Sequence, residues 1–147
     1  MVKQFLGTTE DWVPALLRIA LGGVMFPHGA QKLLGWFGGY GFVGTMEFLT
    51  GMGMPAVVAF LVIIGESLGA LALMLGLLTR FCAFSLTLIM VGAIGLVHWQ
   101  NGFFMNWGGQ AAGEGFEYHL LMVALGVVLM VRGGGSWSID GLLTKRH

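Results

Sequence analysis

The chain has 147 residues, of which 56% are hydrophobic and 10% charged, and its formal net charge is zero. A soluble domain carries about 25% charged residues; so few charges could hardly cover a water-facing surface, and the composition describes an integral membrane protein. Zero net charge without a basic run gives nucleic-acid binding no support. A single cysteine, Cys82, excludes both an internal disulfide and a paired-cysteine redox motif.

The first apolar stretch is 12–34, "WVPALLRIALGGVMFPHGAQKLL". It carries Arg18, Pro27 and His28 and no clear small-x-small cleavage site, so it is expected to stay in the membrane. At 100° per residue, Arg18, Gly22, Met25, His28, Gly29 and Lys32 fall on one face. Polar residues so placed face a bundle interior or a wet cavity; for Arg18 and Lys32 the alternative is snorkelling to the two surfaces. Pro27 removes a backbone hydrogen bond and predicts a kink.

The Gly-rich, aromatic segment 35–54 follows. Within it, "FVGTMEFLT" at 42–50 sets Phe42, Val43, Met46 and Leu49 on one helical face, which predicts a short helix on the membrane surface. The second apolar stretch, 55–78, holds Glu66 near its middle, where an ionised carboxylate must be protonated, paired or solvated by a cavity. Gly65 and Gly69 around it allow close helix contact. The alternative for Glu66 is a structural hydrogen bond or an ion pair with Arg18.

A link at 79–80 leads to the third stretch, 80–99, with Cys82 inside it and His98 beside Trp99 at its end. Cys82 reads as a small buried hydrophobe. After a second glycine-rich loop, 100–115, the fourth stretch is 116–133, "FEYHLLMVALGVVLMVRG". Glu117 and His119 point about 200° apart on one helix. Glu114 and Glu117 then suit the helix N-terminus, and His119 opens a buried face with Met122, Gly126 and Met130. The reverse, with Glu117 inward, stays open.

Each stretch approaches the roughly 20 residues that span a bilayer, and period-two alternation is absent, which argues against a β-barrel. The expected fold is all-α: one domain over 1–147, a four-span membrane helix bundle with a short interfacial helix between the first two spans. With four spans, Lys3, Arg18, Arg80, Arg132, Lys145 and Arg146 fall on one side and only Lys32 on the other. That asymmetry places both termini in the cytoplasm and both long loops outside. Trp36, Trp99 and Trp107 mark the outer interface, and Trp12 and Trp137 the inner one.

Counted along the helices, His28 and His119 each lie roughly 8 Å outward of the midplane, with His98 at the outer surface. Two histidines at equal depth on separate helices could ligate a b-type haem axially, or a metal together with a carboxylate, although no HExxH-like motif is present. They could equally donate hydrogen bonds to a quinone or to one another. Quinone carbonyls need donors, for which His28, His119 and Lys32 qualify; a proton acceptor could be Glu66 or Glu117. Trp36, Phe103, Phe104 and Trp107 either line a ring-sized opening or form the ordinary interfacial belt.

Four segments, "LLRIALGGVMFPHGAQKL", "GESLGALALMLGLLTR", "GEGFEYHLLM" and "GGGSWSIDGLL", together resemble the DoxX family of small bacterial membrane proteins over residues 13–143. The matching positions are Arg18, His28, Gly29, Lys32, Glu66, Gly76, Arg80, Glu117 and Ser138–Asp140. The resemblance implies a four-helix bacterial inner-membrane protein linked to redox processes. Some relatives are quinone-reducing subunits of thiosulfate:quinone oxidoreductase; others associate with sulfurtransferase or superoxide-handling partners. Paired cysteines found in some redox-associated relatives are missing here, which argues against thiol exchange.

Three readings follow. The first is a redox-associated membrane protein with a polar pocket in its outer half, taking a quinone. Its catalytic candidates are Glu66 and Glu117, and its ligand-binding candidates Arg18, His28, Lys32, His98 and His119. The second is a non-catalytic anchor or assembly subunit for a partner oxidoreductase. The third is a small-solute or proton carrier using Glu66, which with four spans would call for a homo-oligomer.

Overall fold

The computed structural model describes residues 6–145, and their secondary structure is helical throughout. The first helix, α1, is Val13–Leu34. Pro14 sits in its first turn, where the missing N–H costs nothing. Pro27 lies inside the helix, which continues past it. Gly35 ends it in the left-handed conformation (φ 72°), its N–H returning to the Ala30 carbonyl. Helix α2, Gly41–Gly51, covers the stretch expected to form a short helix. It buries Thr45, while Phe42 and Val43 stay exposed.

Helix α3 spans Ala56–Leu75 and is interrupted by a π-helical turn at Gly65–Gly69. Gly76 closes it at φ 68°. Helix α4 runs from Thr79 to Asn101, with a second π-helical turn at Ile94–His98. Helix α5 is Glu117–Arg132, and α6 is Ile139–Lys145. Among the described residues, α1, α3 and α4, of 22, 20 and 23 residues, are long and apolar enough to cross a membrane. At 16 residues α5 rises about 24 Å, short of the roughly 30 Å of a hydrocarbon core.

Small residues set the helix contacts. A Cβ on Gly29 would overlap the backbone carbonyl of Glu66, and one on Gly22 would meet the Ala70 carbonyl at 2.7 Å. One face of α1 therefore rests backbone to backbone on α3. Gly126 of α5 makes room for the Thr87 side chain of α4 and lies near the Ala83 carbonyl. Leu21, Met25, Leu73, Leu86, Met90, Met122 and Leu129 fill the core between these helices. The buried face of α5 is His119, Met122, Gly126 and Leu129; three of these were expected with Glu117 turned away, and Leu129 takes the place of Met130, which is half-buried.

One end of the molecule is tied together by charged side chains. Arg18, 3% exposed, donates to the carbonyls of Gly134 (3.0 Å), Trp137 (2.7 Å), Ser136 (3.3 Å) and Met74. Arg80 at the start of α4 donates to Val131 (2.8 Å) and Met130 at the end of α5, so these helices run antiparallel. Arg132 pairs with Asp11 at 2.7 Å. The Asp140 carboxylate accepts the Leu78 and Thr79 N–H groups, both at 2.8 Å, and so caps α4 from the tail. Lys3 and Arg146, counted with these cations in the sequence, lie outside the described residues.

Candidate functional site

The other end of the molecule collects most of the predicted site residues. Glu66 stands on the π-helical turn of α3, where the wider winding re-aims side chains. It is 4% exposed, and its Oε2 accepts a charge-assisted hydrogen bond from Lys32 Nζ of α1. The partner left open by the sequence is thus Lys32. Arg18, the alternative partner, lies towards the far end of α1 with its donors engaged by the four carbonyls above, apart from the candidates at this end.

His98 stands on the second π-helical turn, and its ring centroid lies 4.1 Å from that of His119 on α5. His98 Nδ1 is 2.8 Å from the Glu114 carbonyl. A carbonyl only accepts, so Nδ1 carries the hydrogen and Nε2 holds the lone pair of the neutral ring. His119 is 6% exposed, and its Nδ1 has no hydrogen-bond partner among the described residues. A buried polar nitrogen left so is costly and marks a place where a ligand's polar group would be welcome.

Tyr118 extends the row. Its ring lies 5.4 Å from His119, edge to face, and 6.5 Å from His28 of α1. Its hydroxyl touches only the weak acceptor Met25 Sδ, at 3.8 Å. Tyr118 was not singled out from the sequence; the "EYH" triplet was the available sign. His28 is exposed. It and His119 were expected to line one cavity; the structure sets Tyr118 against both rings, with His119 buried and His28 at the edge.

Glu117 has another job. Its Oε1 accepts from Met105 N (2.9 Å) and Trp107 Nε1 (3.2 Å), and its own N–H donates to the Phe103 carbonyl (2.9 Å). Glu114 Oε2 accepts Asn106 N at 2.7 Å. These two carboxylates fasten the loop before α5. In that loop Phe116 stacks on Trp99 at 5.5 Å and meets Phe103 edge-on at 5.7 Å.

The DoxX family pattern matches residues 13–99, more than half of the chain. The chain belongs to the DoxX family. Within this DoxX chain the matched segment carries His28, Lys32, Glu66 and His98, while Tyr118 and His119 lie beyond it. Among curated proteins, one from Bacillus subtilis (strain 168), named "Putative oxidoreductase CatD", is 29% identical over 114 residues, 78% of this chain and 75% of its own. The "Inner membrane protein YqjF" of Escherichia coli (strain K12) is 32% identical over 112 residues, 76% of this chain and 82% of its own. No solved structure matches.

The donor set discriminates among cofactors. An iron held between two imidazoles sets their centroids about 6 Å apart, given metal–nitrogen bonds of about 2 Å. His98 and His119, at 4.1 Å, are too close for a haem between them, and the pair that the sequence set at equal depth, His28 and His119, has the Tyr118 ring packed against both imidazoles, at 6.5 and 5.4 Å. Among the described residues no three His, Cys, Asp or Glu side chains are grouped to hold a metal. Cys82 is buried and single.

Proposed function

We propose that this DoxX protein is a redox-associated subunit of the bacterial inner membrane that takes a quinone at the His98 end. The carrying observation is the row His98–His119–Tyr118–His28 reaching across α4, α5 and α1 towards the Lys32–Glu66 pair. A quinone offers two carbonyl acceptors and a flat ring. His119 and Tyr118 offer donors without strong partners, on rings a flat ligand can stack against. Oxidation of the bound quinol gives up two electrons, to a partner oxidoreductase subunit, and two protons, for which Glu66–Lys32 and the histidines are the local carriers. In this reading α5 completes a four-span bundle, α2 lies on the membrane surface, and the His98 end faces outward.

The names of the two relatives, an oxidoreductase and an inner membrane protein, agree with this reading. The test is binding of decylubiquinone to detergent-purified protein, followed by quenching of tryptophan fluorescence. Saturable quenching is expected. His119→Ala and Tyr118→Phe should each weaken it about tenfold, the loss of roughly one hydrogen bond, whereas Arg132→Gln at the far end leaves it unchanged. Absence of saturable binding rejects the quinone.

A non-catalytic assembly subunit is the second reading. It is favoured by Glu117, Arg18, Arg80 and Asp140, whose hydrogen bonds hold helices and loops together. An intact partner complex surviving mild-detergent purification, without quinone binding, would select it.

A further inference from the structure

We infer that His98 and His119 act as one proton-holding pair that passes protons between the buried row and water at the loop before α5. The inference deepens the quinone reading and rests on it only for the source of the proton; the pair itself stands on its own geometry.

The two rings come from different helices and lie 4.1 Å apart, tilted by 43°. Two imidazolium charges at that separation repel strongly where little water screens them, so a second proton on the pair meets the charge of the first. The members differ in access: His119 is buried, whereas His98 is partly exposed. They also differ in hydrogen bonding. His98 Nδ1–H is fixed by the Glu114 carbonyl, so an incoming proton must bind Nε2. That same carbonyl then stabilises the imidazolium. His119 Nδ1 has no such anchor, which leaves its tautomer free to change.

The groups around the pair fit a transfer role. From α1 come His28 and Lys32, the latter paired to Glu66 of α3; from α5 come Tyr118 and Glu117. Glu117 and Glu114 face the loop, each bonded to backbone N–H groups. No carboxylate forms an ion pair with either imidazole of the pair among the described residues, so a proton arriving there is not held by a fixed counter-charge. In the step itself, the N–H bond on His119 breaks and, through a bridging water because the rings touch without a direct hydrogen bond, one forms on His98 Nε2, from which water beside the loop takes the proton. No electron moves in this step.

The test is imidazole 15N NMR of the full chain, labelled at histidine and held in lipid nanodiscs, across about pH 4 to 8. Single His→Gln variants assign the signals. In its neutral form His98 should carry its hydrogen on Nδ1. The two rings should titrate in two separated steps, the first visible in both rings, and His98→Gln should leave His119 with a single step. Independent single-step titrations, or His98 with hydrogen on Nε2, overturn the inference. If His98→Gln does not fold, the wild-type titration alone decides. A second arm uses decylubiquinol with an added electron acceptor: His98→Gln should keep quinol binding yet lower proton release about a hundredfold, restored in part by external imidazole. Unchanged release in a folded His98→Gln protein that binds quinol also overturns it. Failure of the wild-type protein to bind rejects the quinone reading, with the pair decided by NMR.

Discussion

Lys32 and Glu66 show how a charge is tolerated inside an apolar helix packing. Glu66 is 6% exposed at its side chain and Lys32 28%, so the pair sits at the edge of the buried region with the acid inside and the base reaching in. Removing one partner of such a pair leaves a buried charge uncompensated, whereas removing both can be nearly neutral. Lys32→Met is therefore expected to cost up to about 3 kcal/mol, and Lys32→Met/Glu66→Met to recover much of it. Thermal unfolding in detergent checks this; equal midpoints for the single and double variants would mean the pair does not couple. Depth along α3 made Glu66 legible in the sequence as a carboxylate in need of a partner. Its partner was not legible, because Arg18 and Lys32 share a face of α1 and only the carbonyls gathered around Arg18 remove it from contention.

At the scale of elements, the contact of α1 with α3 rests on Gly29, whose Cβ would enter the Glu66 backbone, while Gly23 on the same helix has open space. Gly29→Ala must push the helices apart, at about 1–3 kcal/mol. Gly23→Ala should be neutral or stabilise by up to about 1 kcal/mol through helix propensity. Opposite shifts in the thermal midpoint of the two variants are expected; similar shifts would show that α1 does not pack as described. The spans α1, α3 and α4 were legible to within a few residues because length and apolar composition alone define them. The π-helical turns at Gly65–Gly69 and Ile94–His98 were not. Each winds wider than the regular helix, so counting at a fixed 100° per residue loses register there.

At the scale of the molecule, Arg18, Arg80, Arg132, Asp11 and Asp140 lock the start of α1, the end of α3, the start of α4 and the end of α5 at one end. The histidine row occupies the other. If basic residues mark the cytoplasmic side, the loop holding Gly108 faces outward and Trp137 inward. In a Cys82→Ala background, Gly108→Cys should react with an impermeant thiol reagent in intact cells, and Trp137→Cys only after permeabilisation; the opposite pattern would invert the topology. The sequence by itself determined that this is a helical membrane protein, which follows from composition, and that it resembles the DoxX family, which follows from four segments in register. Only the tertiary structure decided that Lys32 neutralises Glu66, that Glu117 fastens a loop, and that His98, His119 and Tyr118 meet. Those choices depend on how helices far apart in the chain are rotated and set against one another, and that geometry comes from glycine contacts and π-helical turns that no single helix reveals.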